Sequence, residues 1–157
     1  MKNFIWMIAA TVLLGAGSAW AQPVSPHRIE NSIWITRATI FPATKPSYQG
    51  TALFKADGTI AGAPRDGHSP ASNPGLWVQT GYADYAFTFT ADVYDNSGNF
   101  VETDVVTGVM HVNDNGLTAT GTALLEVLLS DGTVAFKQPA ATPSPFTATR
   151  IVAGSLP

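Results

Sequence analysis

Three short turn sequences divide residues 82–138 into four segments of strand-like composition. The turns run from Asp95 to Gly98, from Asn113 to Gly116 and over Asp131 and Gly132. Asn, Asp and Gly tolerate the positive φ angles that short hairpin loops require. When each turn sets the pairing of the two strands beside it, one face of all four strands is apolar. Because a slip of one residue would move every side chain to the other face, this agreement predicts an antiparallel β-meander with an apolar interior.

The loop lengths predict the register of each hairpin. A four-residue first loop and a two-residue third loop give the pairs Val93 with Phe100, Phe89 with Asp104, Phe87 with Val106, Tyr85 with Gly108, Val127 with Phe136 and Leu129 with Val134. The second loop, closed on either two or four residues, leaves Met110 and Val112 on the same face as Ala119 and Gly121.

Strand signals continue on both sides of the meander, at residues 32–41, in a hairpin over residues 50–62, at residues 76–80 and at residues 146–152. The expected fold is therefore all-β, an antiparallel meander of about eight strands closed into a small barrel. Side chains either fill the interior of such a barrel or leave room for one small ligand. The inward-facing set mixes aromatic residues with Gly and Ala, and this mixture is compatible with both outcomes.

The first 21 residues have the three parts of an export signal. Lys2 precedes an apolar run from Phe4 to Ala16, and Ala19 and Ala21 stand at the minus-three and minus-one positions of a cleavage site. We therefore expect this segment to be a signal peptide that is cleaved after Ala21, leaving residues 22–157 as a single β-barrel domain. The expected location is periplasmic or secreted.

Composition and motif content argue against several classes of function. The chain has no cysteine, which excludes disulfides and cysteine-ligated zinc. Its 8 basic and 11 acidic residues include no basic cluster of the kind that nucleic acids require. No spacing among the three histidines matches a metal motif, and no run after the signal segment is apolar and long enough to span a bilayer. We therefore expect no metal, no cofactor, no nucleic acid partner and no membrane span.

Two residues near the ends of the predicted barrel resemble a feature of the calycins, the lipocalin-like secreted barrels. Trp34 on the first strand and Arg150 on the last occupy the places where that family stacks a guanidinium over an indole to close one barrel end. The chain departs from the family's Gly-x-Trp motif, because Ser32 stands at the glycine position. The stretches Val106 to Val109 and Thr118 to Thr122 are similar to those of the allene-oxide-cyclase and dirigent barrels. That second resemblance implies a protein that guides cyclisation or coupling of an apolar substrate.

The inward-facing positions define the candidate site, and two functions fit it. The residues expected to contact a ligand are Tyr85, Phe87, Phe89, Val106, Met110, Leu125 and Phe136. The barrel either carries a small apolar molecule without chemistry, or it is an isomerase or cyclase of the dirigent or oxide-cyclase kind. In the enzyme hypothesis Asp104 moves a proton or stabilises a cationic intermediate, and Tyr85 donates a hydrogen bond. The alternative for Asp104 is a solvated position at the barrel rim, or an outward position caused by a bulge after Glu102.

The outer face of residues 105–128 is more apolar than a solvated sheet face. Its apolar residues are Val105, Val109, Leu124 and Leu128. They predict either cover by the lead-in and linker segments or an interface of a homo-oligomer. On the same face, Glu126 is expected opposite Lys137 as an ordinary cross-strand pair, and His111 faces outward without a predicted role.

Overall fold

The computed structural model describes residues 25–39, 48–64 and 73–152. These residues form the strands β1 Ser32–Ala38, β2 Tyr48–Phe54, β3 Thr59–Pro64, β4 Asn73–Gln79, β5 Asp84–Tyr94, β6 Phe100–Val112, β7 Thr118–Leu129, β8 Val134–Lys137 and β9 Ser144–Ile151. Within these ranges there is no helix that is long and apolar enough to cross a membrane. The predicted signal peptide and its cleavage site lie outside the described residues.

The strands close into a barrel. Each strand from β1 to β7 pairs antiparallel with the next one, β7 also pairs with β9, and β9 pairs with β1. Eight strands therefore form a closed ring, and β8 is an extra strand on the second half of β7. This confirms the predicted all-β class and the antiparallel meander closed into a barrel. The architecture is consistent with the calycin-like expectation at the level of the fold.

The first hairpin of the meander has the predicted inward face but not the predicted register. Its loop closes on Asp95 and Asn99, whose backbone N–H and C=O are hydrogen-bonded over 2.9 Å, and a bulge at Val101 adds one further residue. The pairs observed are Tyr85 with Met110, Phe87 with Gly108, Phe89 with Val106 and Ala91 with Asp104. The predicted register is therefore wrong by two residues. Because that shift is even, the same side chains still face the interior.

In the second hairpin Met110 pairs with Gly121 and Val112 with Ala119, which confirms the shared face predicted for these residues. In the third hairpin the predicted pairs of Val127 with Phe136 and Glu126 with Lys137 are confirmed. In the last of these, Nζ of Lys137 lies 2.8 Å from a carboxylate oxygen of Glu126. The predicted pair of Leu129 with Val134 is wrong, because an extra residue in β8 brings Val134 opposite Leu128.

The first described residues, 25–31, cover one end of the barrel, which we call the closed end. Trp34 is fully buried there, and the Tyr85 hydroxyl donates a hydrogen bond to the His27 carbonyl over 2.8 Å. The second hairpin turn also contacts this segment, since a Cβ at Gly116 would lie 2.3 Å from the carbonyl oxygen of Pro26. A φ angle of 66° at that position also favours glycine. The opposite end of the barrel, where β1 ends and β6 begins, we call the far end.

Candidate functional site

A cavity of about 130 Å³ lies in the interior of the barrel. Its apolar lining includes Ala38, Ala52, Phe54, Ile60, Phe87, Phe89, Ala91, Val106, Met110, Ala123, Leu125 and Phe146. Its polar lining residues are Thr36, Thr51, Asp104, Gln138 and Ser144. An apolar cavity of about 150 Å³ can hold benzene. This cavity therefore suits a ligand near the size of one aromatic ring.

Two glycines on neighbouring strands explain how the aromatic residues pack around the cavity. A Cβ at Gly108 would lie 2.5 Å from Cζ of Phe87, and a Cβ at Gly121 would lie 2.5 Å from Cζ of Phe146. The two rings therefore lie directly over the glycines, and their centroids are 5.8 Å apart in an edge-to-face contact. The small residues thus have two roles in the barrel interior: some allow aromatic side chains to fill it, and others leave room for a ligand. The glycines accommodate rings, whereas alanines such as Ala123 line the cavity.

Among the described lining residues, Asp104 is the ionisable one. It lies on β6 with Ala91 and Val127 as its cross-strand neighbours, and its Oδ1 atom is buried. The bulge in this hairpin lies at Val101, before Glu102, and Asp104 stays on the interior face. The carboxyl group is therefore in a position to contact a ligand in the cavity.

A buried glutamine, Gln138, forms another part of the wall and is only 4% exposed. Its Oε1 accepts a hydrogen bond from the Leu125 N–H over 3.2 Å, and its own N–H donates to the Leu125 carbonyl over 2.9 Å. Its Nε2 donates to the Thr142 carbonyl and to Oγ of Ser144. The side chain thus satisfies backbone groups where β7 changes its neighbour from β8 to β9. In the sequence Gln138 is only a polar residue before Pro139, which is common at strand ends.

The structure places most of the predicted ligand-contacting residues around the cavity. Those that line it are Phe87, Phe89, Val106, Met110 and Leu125, whereas Tyr85 and Phe136 are not among its lining residues. Tyr85 is fully buried at the closed end, where its hydroxyl bonds to His27, and burial raises the pKa of that hydroxyl. Phe136 lies on β8, outside the closed ring of strands. The sequence pattern did not reveal the lining residues of the other strands, such as Phe54 and Phe146.

Trp34 and Arg150 are cross-strand partners on β1 and β9. The guanidinium carbon of Arg150 lies 5.8 Å from the centre of the Trp34 ring, which is within the range of a cation–π contact. The indole N–H of Trp34 donates to Oγ of Ser32 over 2.7 Å. Ser32 therefore satisfies the polar atom of a buried indole. This cluster lies at the closed end and is not among the lining residues of the cavity.

The outer face of the meander is partly covered and partly exposed. Val109 is 55% exposed, and the exposed apolar residues continue on β4 with Leu76 and Val78. The half-buried ones are Val105, Leu124 and Leu128. On the same face, Nδ1 of His111 lies 2.7 Å from Oδ1 of Asp84. The described residues contain no group of three or more side chains that could hold a metal ion.

Comparison of the chain with protein-family models, with curated protein sequences and with solved structures finds no match in any of the three. The fold and the barrel interior are therefore the basis on which the protein is classified. It is a closed eight-stranded antiparallel β-barrel with a mainly apolar cavity and a carboxylate in the cavity wall.

Proposed function

We propose that the protein is an exported carrier that binds a small apolar molecule inside its barrel. The observation that supports this function is the interior cavity of about 130 Å³, whose wall is apolar apart from a few polar groups. Eight-stranded barrels have an interior that can hold one small ligand. The calycin-like features at Trp34 and Arg150 agree with this class of function.

The energetics of an empty cavity favour a ligand. At about 24 cal/mol per Å³, an unfilled volume of about 130 Å³ destabilises the folded protein by about 3 kcal/mol. A ligand that fills this space recovers part of that free energy without any polar contact. A cavity of about 150 Å³ with an apolar lining accepts benzene-sized molecules. Size and polarity together select a compact ligand of about six to eight non-hydrogen atoms.

Isomerase or cyclase chemistry in the same cavity is the second candidate function, and the position of Asp104 favours it. A carboxyl group in an apolar wall is a suitable proton donor or acceptor. The carrier ranks first because the described lining residues include no second acid or base. The Tyr85 hydroxyl, the other proposed catalytic group, bonds to His27 at the closed end. Asp104→Asn separates the two functions, since a carrier keeps its affinity for an apolar probe and an enzyme loses turnover.

The cavity contains a convenient reporter, Met110. The other methionines, Met1 and Met7, lie in the predicted signal peptide, so the processed protein has a single methionine. We expect its ¹³C-methyl resonance to shift saturably when toluene is added. Native mass spectrometry of protein purified from its own host should also detect a retained small molecule. If no ligand co-purifies and toluene causes no saturable shift, the carrier function is refuted.

Export is the part of this proposal that depends on the N-terminal segment. Ala19 and Ala21 support cleavage before Gln22 by signal peptidase. Intact-mass measurement of the protein from the periplasm or medium should give a chain that begins at Gln22. Recovery of only the unprocessed chain from the membrane fraction would refute export.

We also propose self-association through the outer face of residues 105–128. Val78, Ala86 and Val109 are neighbours in one cross-strand row, and the two valines are exposed. Sedimentation analysis is expected to show a dimer or larger oligomer that Val109→Glu dissociates. Val101→Glu, an exposed valine of the same strand outside this face, is the control. A monomeric wild-type protein would refute self-association.

A further inference from the structure

We propose that the cavity selects a neutral monocyclic arene over aliphatic molecules of the same size. This inference rests on the proposed function, because it names the chemical class of the ligand in the same cavity. It follows from the phenyl rings that remain accessible in the barrel interior, from the angles between the rings of the wall and from the polar groups of the wall, which interact within the protein.

Phe87 and Phe89 present ring surface to the cavity. Both lie on the interior face of β5 and pack against the buried core, yet both side chains are only partly buried. Because they point inward and line the cavity, their accessible surface faces the cavity. The other aromatic lining residues, Phe54 and Phe146, are buried. The aromatic surface that a ligand meets therefore belongs mainly to Phe87 and Phe89.

The rings of the wall lie in two nearly perpendicular orientations. Phe87 and Phe89 are nearly parallel, with an interplanar angle of 18° and centroids 6.2 Å apart. The ring of Phe146 meets Phe87 at 74°. A flat ligand that is parallel to one orientation is therefore nearly perpendicular to the other. Aromatic pairs favour both offset stacking and edge-to-face contact, because the face of a ring is negative and its edge is positive. A saturated ring has no negative face and gains only the apolar contact.

The thioether of Met110 favours the same class of ligand. Met110 is buried and lines the cavity. The polarisable sulfur of a methionine makes a favourable contact with an aromatic ring at a distance of about 5 Å. A saturated hydrocarbon does not provide this contact, so Met110 and the phenyl rings select in the same direction.

The polar groups of the wall interact within the protein. The Thr36 hydroxyl donates to a backbone carbonyl over 3.2 Å, and the Gln138 side chain bonds to backbone groups and to Ser144. Thr51, Asp104 and Ser144 also have interactions with the protein itself. A polar substituent on a ligand would have to compete with these interactions, whereas a hydrocarbon ring leaves them intact. The wall therefore favours a ligand without polar groups.

Three probes of nearly equal size test the proposal: toluene, methylcyclohexane and phenol. Binding to the processed protein is measured from the Met110 methyl resonance, and for the two hydrocarbons also by headspace gas chromatography, which gives the free concentration. The hydrocarbon affinities are divided by the partition coefficients between hexadecane and water, so that differences in hydrophobicity cancel. On this corrected scale we expect toluene to bind about tenfold more tightly than methylcyclohexane, because ring contacts are added to the same apolar burial. Without the correction, phenol should bind more weakly than toluene, because its hydroxyl loses hydrogen bonds to water.

Phe89→Leu tests whether the phenyl rings cause the preference. This substitution removes one ring from the wall and keeps an apolar side chain, so the ratio of toluene to methylcyclohexane affinity should fall to about threefold or less. The matched control is Phe100→Leu. The Phe100 ring contacts Tyr94 in the first hairpin, at a centroid distance of 5.9 Å, and is not among the lining residues of the cavity. This control should keep the ratio of the wild-type protein.

The outcomes separate this inference from the proposed function. If toluene binds and the corrected affinities of toluene and methylcyclohexane are equal, the arene is refuted while the carrier stands. An unchanged ratio in Phe89→Leu, or phenol that binds more tightly than toluene, would also refute the arene. If no probe binds, the carrier itself is refuted. Should Phe89→Leu fail to fold, the ratio measured on the wild-type protein still decides whether an aromatic ring is preferred.

Discussion

Filling the cavity from within should stabilise the protein and abolish ligand binding. Ala123 on β7 lines the cavity and lies opposite Gly108. Ala123→Ile adds three carbon atoms, and burying them contributes about 2.4 kcal/mol at about 0.8 kcal/mol per carbon. Strain from an imperfect fit offsets about 1 kcal/mol of this gain. We therefore expect a net increase of about 1 to 2 kcal/mol in the free energy of unfolding, and a rise in Tm of about 4 to 8 °C.

The assay combines urea unfolding with toluene titration. The matched control is Thr120→Ile, which adds a β-branched side chain to the exposed outer face of the same strand. This control is expected to change the free energy of unfolding by about 0.5 kcal/mol or less and to leave toluene affinity unchanged. Ala123→Ile should instead weaken toluene binding by about tenfold or more, because the space that toluene needs is occupied.

One combination of results would refute the reasoning. If Ala123→Ile destabilises the protein by about 1 to 3 kcal/mol, as overpacking of a filled core does, and toluene binding is unchanged, the space beside Ala123 is not a cavity. The barrel would then be filled, and its function would lie at its surface.

Three further changes test individual hydrogen bonds of the barrel. Gln138→Leu leaves buried backbone groups without their hydrogen bonds and should cost about 2 to 4 kcal/mol in urea unfolding, whereas Gln79→Leu, at an exposed glutamine, should cost less than about 1 kcal/mol. Tyr85→Phe removes the hydrogen bond to His27 and should cost about 1 kcal/mol and speed hydrogen exchange in residues 25–31, with toluene affinity unchanged. Hydrogen bonds from the side chain and the backbone N–H of Asn99 lower the pKa of Asp95 in the folded protein. The contribution of Asp95 to stability is therefore present above the unfolded pKa of about 3.9 and is lost as the pH falls through the lower folded value. Urea midpoints of Asp95→Asn and wild type should therefore differ by a constant amount above about pH 5 and converge in stronger acid; a difference that grows in acid would contradict this.

The inward face of the meander could be predicted from the sequence because its determinants are local. Turn residues mark the hairpins, and the alternation of apolar residues identifies the buried face. The register of the first hairpin could not be predicted in the same way. A bulge such as that at Val101 adds one residue without changing the turn sequence, and it depends on how the strand fits into a twisted and closed sheet. Asp104 is therefore on its predicted face but pairs with Ala91 and not with Phe89.

Part of the cavity wall depends on barrel closure, which the sequence pattern does not specify. Phe146 and Ser144 reach the cavity because β9 pairs with both β1 and β7. These contacts join strands that are distant in sequence, and no turn between them fixes their register. The role of Gln138 has the same origin, since its side chain is needed only where β7 changes its neighbour.

Tyr85 shows why the face of a residue is not enough to place it in a site. Tyr85 and Met110 are directly opposite each other and share the interior face, yet only Met110 lines the cavity. The two side chains differ in that Tyr85 carries a hydroxyl group. A buried hydroxyl needs a hydrogen-bond partner, and leaving it without one costs about 1 to 3 kcal/mol. The His27 carbonyl provides that partner at the closed end and holds the ring there. The alternation of the sequence assigns the face of a strand, whereas the hydrogen-bond partner of a polar side chain decides which part of the interior that side chain occupies.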